Sequence, residues 1–355
     1  MWLFIMLACR SPSDDERPDP GDEVVDTGGL ETALKVADFY DCDTDTVNLD
    51  APSGVMETPP LGEIAGLCDG QVVAGTLDDP AFIWLDVISQ QILNRWPVQA
   101  APNVVALDVS GGALFGGGSR MDLETEAVDP ASGLTDDLTG LVLGTDGELL
   151  ALRPGDLDIV ARADGRLVRS IATGAAGTLL AADPDQQRVF IAERGETRPR
   201  ISRLTITDDD ILDQKQLINV EGCANGQSMT LSPDGTQLVF VCAGDDLIID
   251  RSSEDLLEEQ GRWGAGAVPR AAAFNPDGSV MASINATQLH VFDAKTYRRQ
   301  ALATLPECDF PDYRQVGFSR GGDLIWAYSA CGFDQDSGIV AWFSLPELLA
   351  ASPEE

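Results

Sequence analysis

Short apolar runs separated by turns rich in Gly, Pro and Asp recur along most of this chain, and the clearest pair is MTLSPDGTQLVFVCAG, Met229 to Gly244. Thr230 to Ser232 and Leu238 to Cys242 predict two strands, and Asp234-Gly235 predicts the tight reversal between them. The same grammar returns at AAAFNPDGSVMASI (271–284), VGFSRGGDLIWAYS (316–329) and GLVLGTDGELLALR (140–153). The turn glycine of each unit, or the residue in its place, falls at Gly70, Gly112, Gly147, Gln186, Gly235, Gly278 and Gly322, with spacings of 42, 35, 39, 49, 43 and 44 residues. A period of about 40 to 45 residues, each holding several short strands, is that of a β-propeller blade. The expected fold is all-β, a seven-bladed β-propeller of four-stranded blades over residues 61–350.

The second half of each unit repeats as well. FIWLDVISQQILNRWPV (82–98), DIVARADGRLVRSIATG (158–174) and LHVFDAKTYRRQALATL (289–305) each read strand, turn, strand, with Asp86 and Asp293 in equivalent places. At these residues the chain resembles WD40-like and YVTN (YncE-type) seven-bladed propellers, over about Leu61 to Leu349. It lacks the Gly-His and Trp-Asp pairs of true WD40 repeats, so that family's hydrogen-bond network is not carried over. After 103–118 the unit SRMDLETEAVDPASGLTDD is poor in strand residues, and RSSEDLLEEQGRWG (251–264) reads as an insertion holding a short helix. The last unit leaves little room for a fourth strand. An unpaired edge would expose backbone groups, so the segment around Ala33 to Tyr40, within an N-terminal stretch 30–60, is expected to close the ring.

The chain begins MWLFIMLACR, an apolar run ending at a cysteine after a small residue. This resembles a bacterial lipoprotein signal, and the resemblance implies that residues 1–9 are a signal segment with Cys9 the lipidated residue. Residues 10–29, rich in Pro, Asp and Glu, bury too little apolar surface to fold and predict an acidic disordered tether; 351–355 is a short tail. No run reaches the roughly 20 apolar residues of a membrane span, so contact with a membrane is expected only through the lipid anchor. The expected location is exported, lipid-anchored to the bacterial outer membrane or cell surface, the alternative being periplasmic or secreted.

Charge narrows the partners. With 23 Lys and Arg against 59 Asp and Glu the net charge is -36, a potential that repels nucleic acid and anionic lipid. Setting Cys9 aside leaves Cys42, Cys68, Cys223, Cys242, Cys308 and Cys331, an even number in an exported chain. A tight turn at Asp234-Gly235 places Cys242 opposite residue 227, four positions after Cys223. The Gly321-Gly322 turn places Cys331 opposite residue 312, four after Cys308. The repeated relation predicts disulfides 223–242 and 308–331, with 42–68 by elimination. The close Cys pairs of a zinc site are absent.

Catalytic signals are sparse. His290 is the one histidine, set in an alternating strand where a packed imidazole is the ordinary case, and no nucleophile elbow, P-loop or metalloprotease motif occurs. Asp41, Asp43 and Asp45 start like a calcium loop, but Thr46 and Pro52 stand where that loop needs Gly and Glu. No cofactor, metal or catalytic residue is assigned. Trp84, Trp326 and Trp342 are expected to pack between blades. Arg194, Arg198, Arg200 and Arg203 gather after the second strand of the fourth unit, on the face that also carries the two hairpin disulfides and the loop CGFDQDSG (331–338) of the last unit. They mark a candidate binding face. The expected function is a non-enzymatic exported scaffold binding a protein or envelope polymer; the alternatives are a propeller hydrolase or lactonase with an axial site, and a structural envelope protein.

Overall fold

The computed structural model describes residues 53–351 except 69, 109, 145–146, 174–176, 184–187, 193–199, 207–210, 220–222, 224–225, 245, 251–257, 265 and 267. Strand β1 (Ser53–Thr58) is followed by a sheet of β2 (Leu61–Gly66), β3 (Gln71–Thr76), β4 (Ala81–Asp86) and β5 (Gln91–Pro97). Next come β6 (Ala106–Asp108), β7 (Ala113–Gly116), β8 (Ser119–Asp122) and β9 (Val128–Pro130), then β10 (Gly140–Leu143), β11 (Glu148–Arg153), β12 (Asp156–Ala161) and β13 (Leu167–Ala172). The fourth and fifth sets are β14 (Leu179–Asp183), β15 (Arg188–Ala192), β16 (Arg200–Ile206) and β17 (Ile211–Asn219), and β18 (Gly226–Leu231), β19 (Gln237–Cys242), β20 (Asp246–Asp250) and β21 (Glu258–Trp263). The chain ends with β22 (Ala271–Phe274), β23 (Val280–Ile284), β24 (Gln288–Asp293) and β25 (Arg299–Thr304), then β26 (Asp312–Phe318), β27 (Leu324–Cys331), β28 (Ser337–Ser344) and helix α1 (Leu345–Ala351). These strands make seven four-stranded antiparallel sheets, each in sequence order except the last, whose order is β1-β28-β27-β26.

The sheets pack face to face in sequence order, and the core is divided among their interfaces. Trp84 and Phe82 of the β2–β5 sheet meet Leu114 and Met121 of the next; Leu152 and Ile159 meet Val189 and Leu204; Val239 and Val241 meet Met281 and Phe292. The last sheet meets the first through Trp326, Tyr328, Val340 and Trp342 against Ile64, Val72 and Ile83, so the ring closes. Inner strands covered on both faces carry continuous apolar runs, as in β27, where all of LIWAYSAC is buried. Outermost strands such as β13 have no fully buried position instead. The large tryptophans need room: a Cβ on Gly317 would strike the ring of Trp326, so the close approach of indole to β26 requires glycine there.

Closure uses the N-terminal strand. β1 pairs with β28 from Ser53 opposite Phe343 to Thr58 opposite Gly338. Ala33 to Tyr40 lies outside the described residues; the strand that pairs with β28, Ser53–Thr58, falls within the N-terminal stretch 30–60. A correction concerns 251–264: Glu258–Trp263 is not helical but forms β21, pairing with β20, and 251–257 lies outside the described residues. The segment poor in strand residues still forms β8 and β9, of four and three residues.

Two turn designs recur. Gly70, Gly112, Gly147, Gly235, Gly278 and Gly322 each sit in a first hairpin turn with positive φ; Gln186 lies outside the described residues. The turn after the third strand uses an aspartate. Asp86 Oδ1 accepts from the Ile88 and Ser89 N–H groups, Asp122 Oδ1 from those of Glu124 and Thr125, and Asp293 Oδ1 from those of Lys295 and Thr296. Four residues beyond each Asp, Gln90, Glu126 and Tyr297 adopt φ of 57°, 56° and 61°. Non-glycine residues are costly in that region, and the Asx cap offsets the cost. Ala161 occupies the Asp position of the β12–β13 turn, and there the left-handed residue is Gly165.

Candidate functional site: an aromatic pair on the loop face

The segments leading into each first strand and the loops after each second strand emerge on one face of the ring; the tight hairpin turns occupy the other. On the loop face, Cys223 and Cys242 are joined with Cα atoms 5.3 Å apart, and Cys308 and Cys331 with Cα atoms 5.9 Å apart. Both expected links are present, although the register differs by one residue from a plain ladder. Cys242 faces Gly226 because a bulge follows Gly226, and in the last sheet a bulge between Tyr313 and Gln315 sets Ala330 opposite Asp312. Cys68 is also disulfide-bonded, and it sits after β2 in the hairpin turn of the opposite face; Cys42 lies outside the described residues. Disulfides belong to an oxidising compartment, which places the chain outside a reducing cytoplasm. Among the described residues no helix is long and apolar enough to cross a membrane.

The Cys308–Cys331 link braces two loops that each present a phenylalanine. Phe310 is 72% exposed and Phe333 86%, the highest values of any large apolar side chains among the described residues. Their rings meet edge to face, with centroids 6.3 Å apart and planes at 80°, a geometry favoured by the aromatic quadrupole. The loops are pinned from beneath. The buried Tyr313 hydroxyl donates to Pro306 O at 2.7 Å, Gly332 N donates to Asp309 O at 2.5 Å, and Arg314 Nη2 donates to Gln335 Oε1 at 2.5 Å and to Asp312 Oδ2 at 2.9 Å. Phe310 holds φ of 50° immediately before Pro311, and Gln335 holds 56°. A non-glycine residue in the left-handed region is maintained only where its surroundings over-determine it. These two rings are therefore held in water by a rigid frame.

Arginine contributes little free charge here. Arg270 Nη1 donates to Gln227 Oε1 at 3.4 Å, and Arg270 lies 4.0 Å from Asp312, which also holds Arg314. The carboxylates of Glu307, Asp309, Asp334 and Asp336 belong to exposed residues flanking the two phenylalanines. Two of the four arginines expected to mark a binding face, Arg200 and Arg203, lie among the described residues. Arg203 is buried, 4% exposed within β16, whereas Arg200 at the start of that strand is exposed; residues three apart on a strand point to opposite sides. Arg194 and Arg198 lie outside the described residues, as do Cys9, Asp41, Asp43 and Asp45.

The first strands hold one perturbed acid. Glu63, in the bulge of β2, has a pKa pushed up to about 7 by burial, opposed by a bond from the Val105 N–H to its Oε2 at 3.1 Å. Gln315 accepts from Ile64 N at 3.0 Å and donates to Gly62 O at 2.6 Å, so the bulge is stitched to both neighbouring sheets. His290 is buried, its Nε2 3.3 Å from Asn285 Nδ2 and its ring stacked on Phe292. Burial, helped by Arg299, pushes its pKa down to about 4. It is a packed neutral imidazole. Trp84, Trp326 and Trp342 are buried at interfaces between sheets. Among the described residues no group of His, Cys, Asp and Glu converges as a metal site would require.

Solved structures share this architecture. A chain of the Kuenenia stuttgartiensis hydrazine synthase superposes with a TM-score of 0.63 at 14% identity, covering 79% of this chain and 95% of that one. The β-propeller domain of Myceliophteria thermophila Cps50 (Swd1) gives 0.61 at 11% identity, covering 81% and 98%. The fold is a β-propeller. Its blades are four-stranded, and identities this low speak to fold alone. No protein-family model and no curated protein sequence matches the chain.

Proposed function

We propose that this chain is an exported, non-enzymatic, seven-bladed propeller scaffold that binds a protein through its disulfide-braced loop face. The observation that carries the reading is the Phe310–Phe333 pair, two exposed rings on pinned loops. Large aromatics left in water on a rigid frame are the usual anchors of protein interfaces, and rigidity lowers the entropy lost on docking. The Cys9 lipid anchor and the acidic tether 10–29 complete the proposal: they would hold the propeller at a membrane surface. An enzymatic reading would rest on Glu63, but that carboxylate is occupied with the Val105 N–H beside the bulge it supports.

The test is site-specific photo-cross-linking in the native cell, with a photoreactive amino acid at position 333 or, as the control, at 147 in the β10–β11 turn on the opposite face. A discrete protein adduct from 333 alone is expected. Adducts from 147 alone, or none from 333, would defeat the reading. Cys9→Ser should move the protein from the membrane fraction to the soluble one; full retention on membranes would remove the anchor.

A further inference from the structure

We propose that the Phe310–Phe333 pair and the carboxylates around it form a docking site for a cationic peptide segment of a partner protein, one presenting an aliphatic or aromatic side chain beside lysines or arginines. This rests on the loop-face reading above and specifies the chemistry of its partner. The apolar half of the recognition is the edge-to-face pair, whose exposure of 72% and 86% leaves most of both rings to be covered by a partner. The charged half is set by sequence neighbours. The segments Glu307 to Asp312 and Phe333 to Asp336 hold Glu307, Asp309, Asp312, Asp334 and Asp336 with no Lys or Arg among them. Arg314, the nearest cation in sequence, is committed to Asp312 and Gln335.

Charge also decides among occupants. A second copy of a chain carrying -36 would bring like charge against like charge at this patch, and an anionic lipid surface would meet the same repulsion. A cationic segment is attracted by the whole molecule before it reaches the rings, and its apolar side chain then covers them. The site can fix orientation because three pins hold the loops: the Cys308–Cys331 link, the Tyr313 hydroxyl on Pro306 O, and Gly332 N on Asp309 O.

The test pans a phage-displayed random peptide library on the immobilised full chain, after depletion on the Phe310→Ser/Phe333→Ser variant. Enriched peptides are then synthesised with a fluorescent label and titrated by anisotropy. Enrichment of peptides combining Lys or Arg with an apolar residue is expected. Their binding should weaken at least tenfold in the double Phe variant, and should weaken as salt is raised because the exposed charges are screened. Asp309→Asn/Asp334→Asn should lower affinity and flatten the salt dependence while leaving both rings in place. Near-UV circular dichroism matching the wild type shows that the variants keep their fold. Failure to enrich, enrichment of acidic peptides, or binding indifferent to the Phe variant overturns the proposal. So does concentration-dependent dimerisation abolished by that variant, or its loss of binding to phosphatidylcholine vesicles, since either would make a different occupant the partner. A specific adduct at position 333 with no cationic peptide bound would sink this inference and leave the loop-face reading intact.

Discussion

Replacing Glu63 by Gln tests how closed the first strands are to water. The carboxylate has a pKa of about 7 against 4.5 for the unfolded chain, because burial disfavours its charge more than the Val105 N–H favours it. The folded state thus holds this proton more tightly than the unfolded state, so the associated stability is full below pH 4.5 and is lost as pH rises through 7. Between pH 5 and pH 8 these values imply a loss of about 2.5 kcal/mol, and partial access of the side chain to solvent trims it to about 2. Gln keeps the shape and an acceptor for the Val105 N–H but has no charge to desolvate. Urea unfolding of wild type and Glu63→Gln at both pH values isolates the effect, because contributions from other titrating groups cancel in each difference. The advantage of Gln over Glu should grow by about 2 kcal/mol from pH 5 to pH 8. Equal differences at the two pH values would show that the carboxylate is solvated, and the account of the β2 bulge would fail.

Three further outcomes follow from the same geometry. His290 has the opposite sign: its pKa is pushed down to about 4, so stability falls as pH drops below 6.5, by about 2 kcal/mol at pH 5. His290→Met should flatten that limb of the stability profile, and an unchanged limb would place the acid sensitivity elsewhere. Removing one hairpin link by Cys223→Ser/Cys242→Ser should cost about 2 to 4 kcal/mol in denaturant unfolding, while a loss below about 0.5 kcal/mol would mean the bulged strand is rigid without it. Asp86→Ala should cost about 1 kcal/mol because the exposed Gln90 keeps its left-handed backbone without the cap; adding Gln90→Gly should recover much of this, and no recovery would break the link between cap and φ.

The parts legible in the sequence are those fixed by short-range stereochemistry. A glycine between two apolar runs had to be a turn, and six of the expected turn positions are described with positive φ in the first hairpins of their sheets. The third-strand aspartates were visible as a pattern at Asp86 and Asp293, but their purpose emerges only with the φ of Gln90 and Tyr297, and Gly165 explains why Ala161 can break the pattern. Cysteine pairing was legible because two links join the ends of single hairpins. The register at the cysteines was not, since a bulge has no reliable signature in residue type. Arg203 departs from its expected place beside Arg200 for a related reason: proximity in sequence says little about which side of a strand each residue faces, and Arg203 turns inward. The loop CGFDQDSG, which holds Phe333, reads from the sequence as part of the braced face, but neither Phe310 nor Phe333 stands out as an anchor. Their signal was present in DFPD and GFDQD, where a large aromatic stands among Asp, Pro and Gly with no strand to join.

In three of the sheets, bulges distinguish one face of the ring from the other. β2, β18 and β26 are each irregular close to the point where the chain runs into its sheet, at 62–63, 227 and 314. An extra residue there bends the strand and releases its leading segment from the ladder. A released segment must be held in another way: Gln315 and Glu63 stitch the first of these strands to its neighbours, and disulfides hold the segments before the other two. At the opposite ends of the same strands a glycine turn reverses the chain with no loop to spare. The braced face therefore carries longer segments without loosening the ring, and Phe310 and Phe333 stand on that face, beside one of its braces.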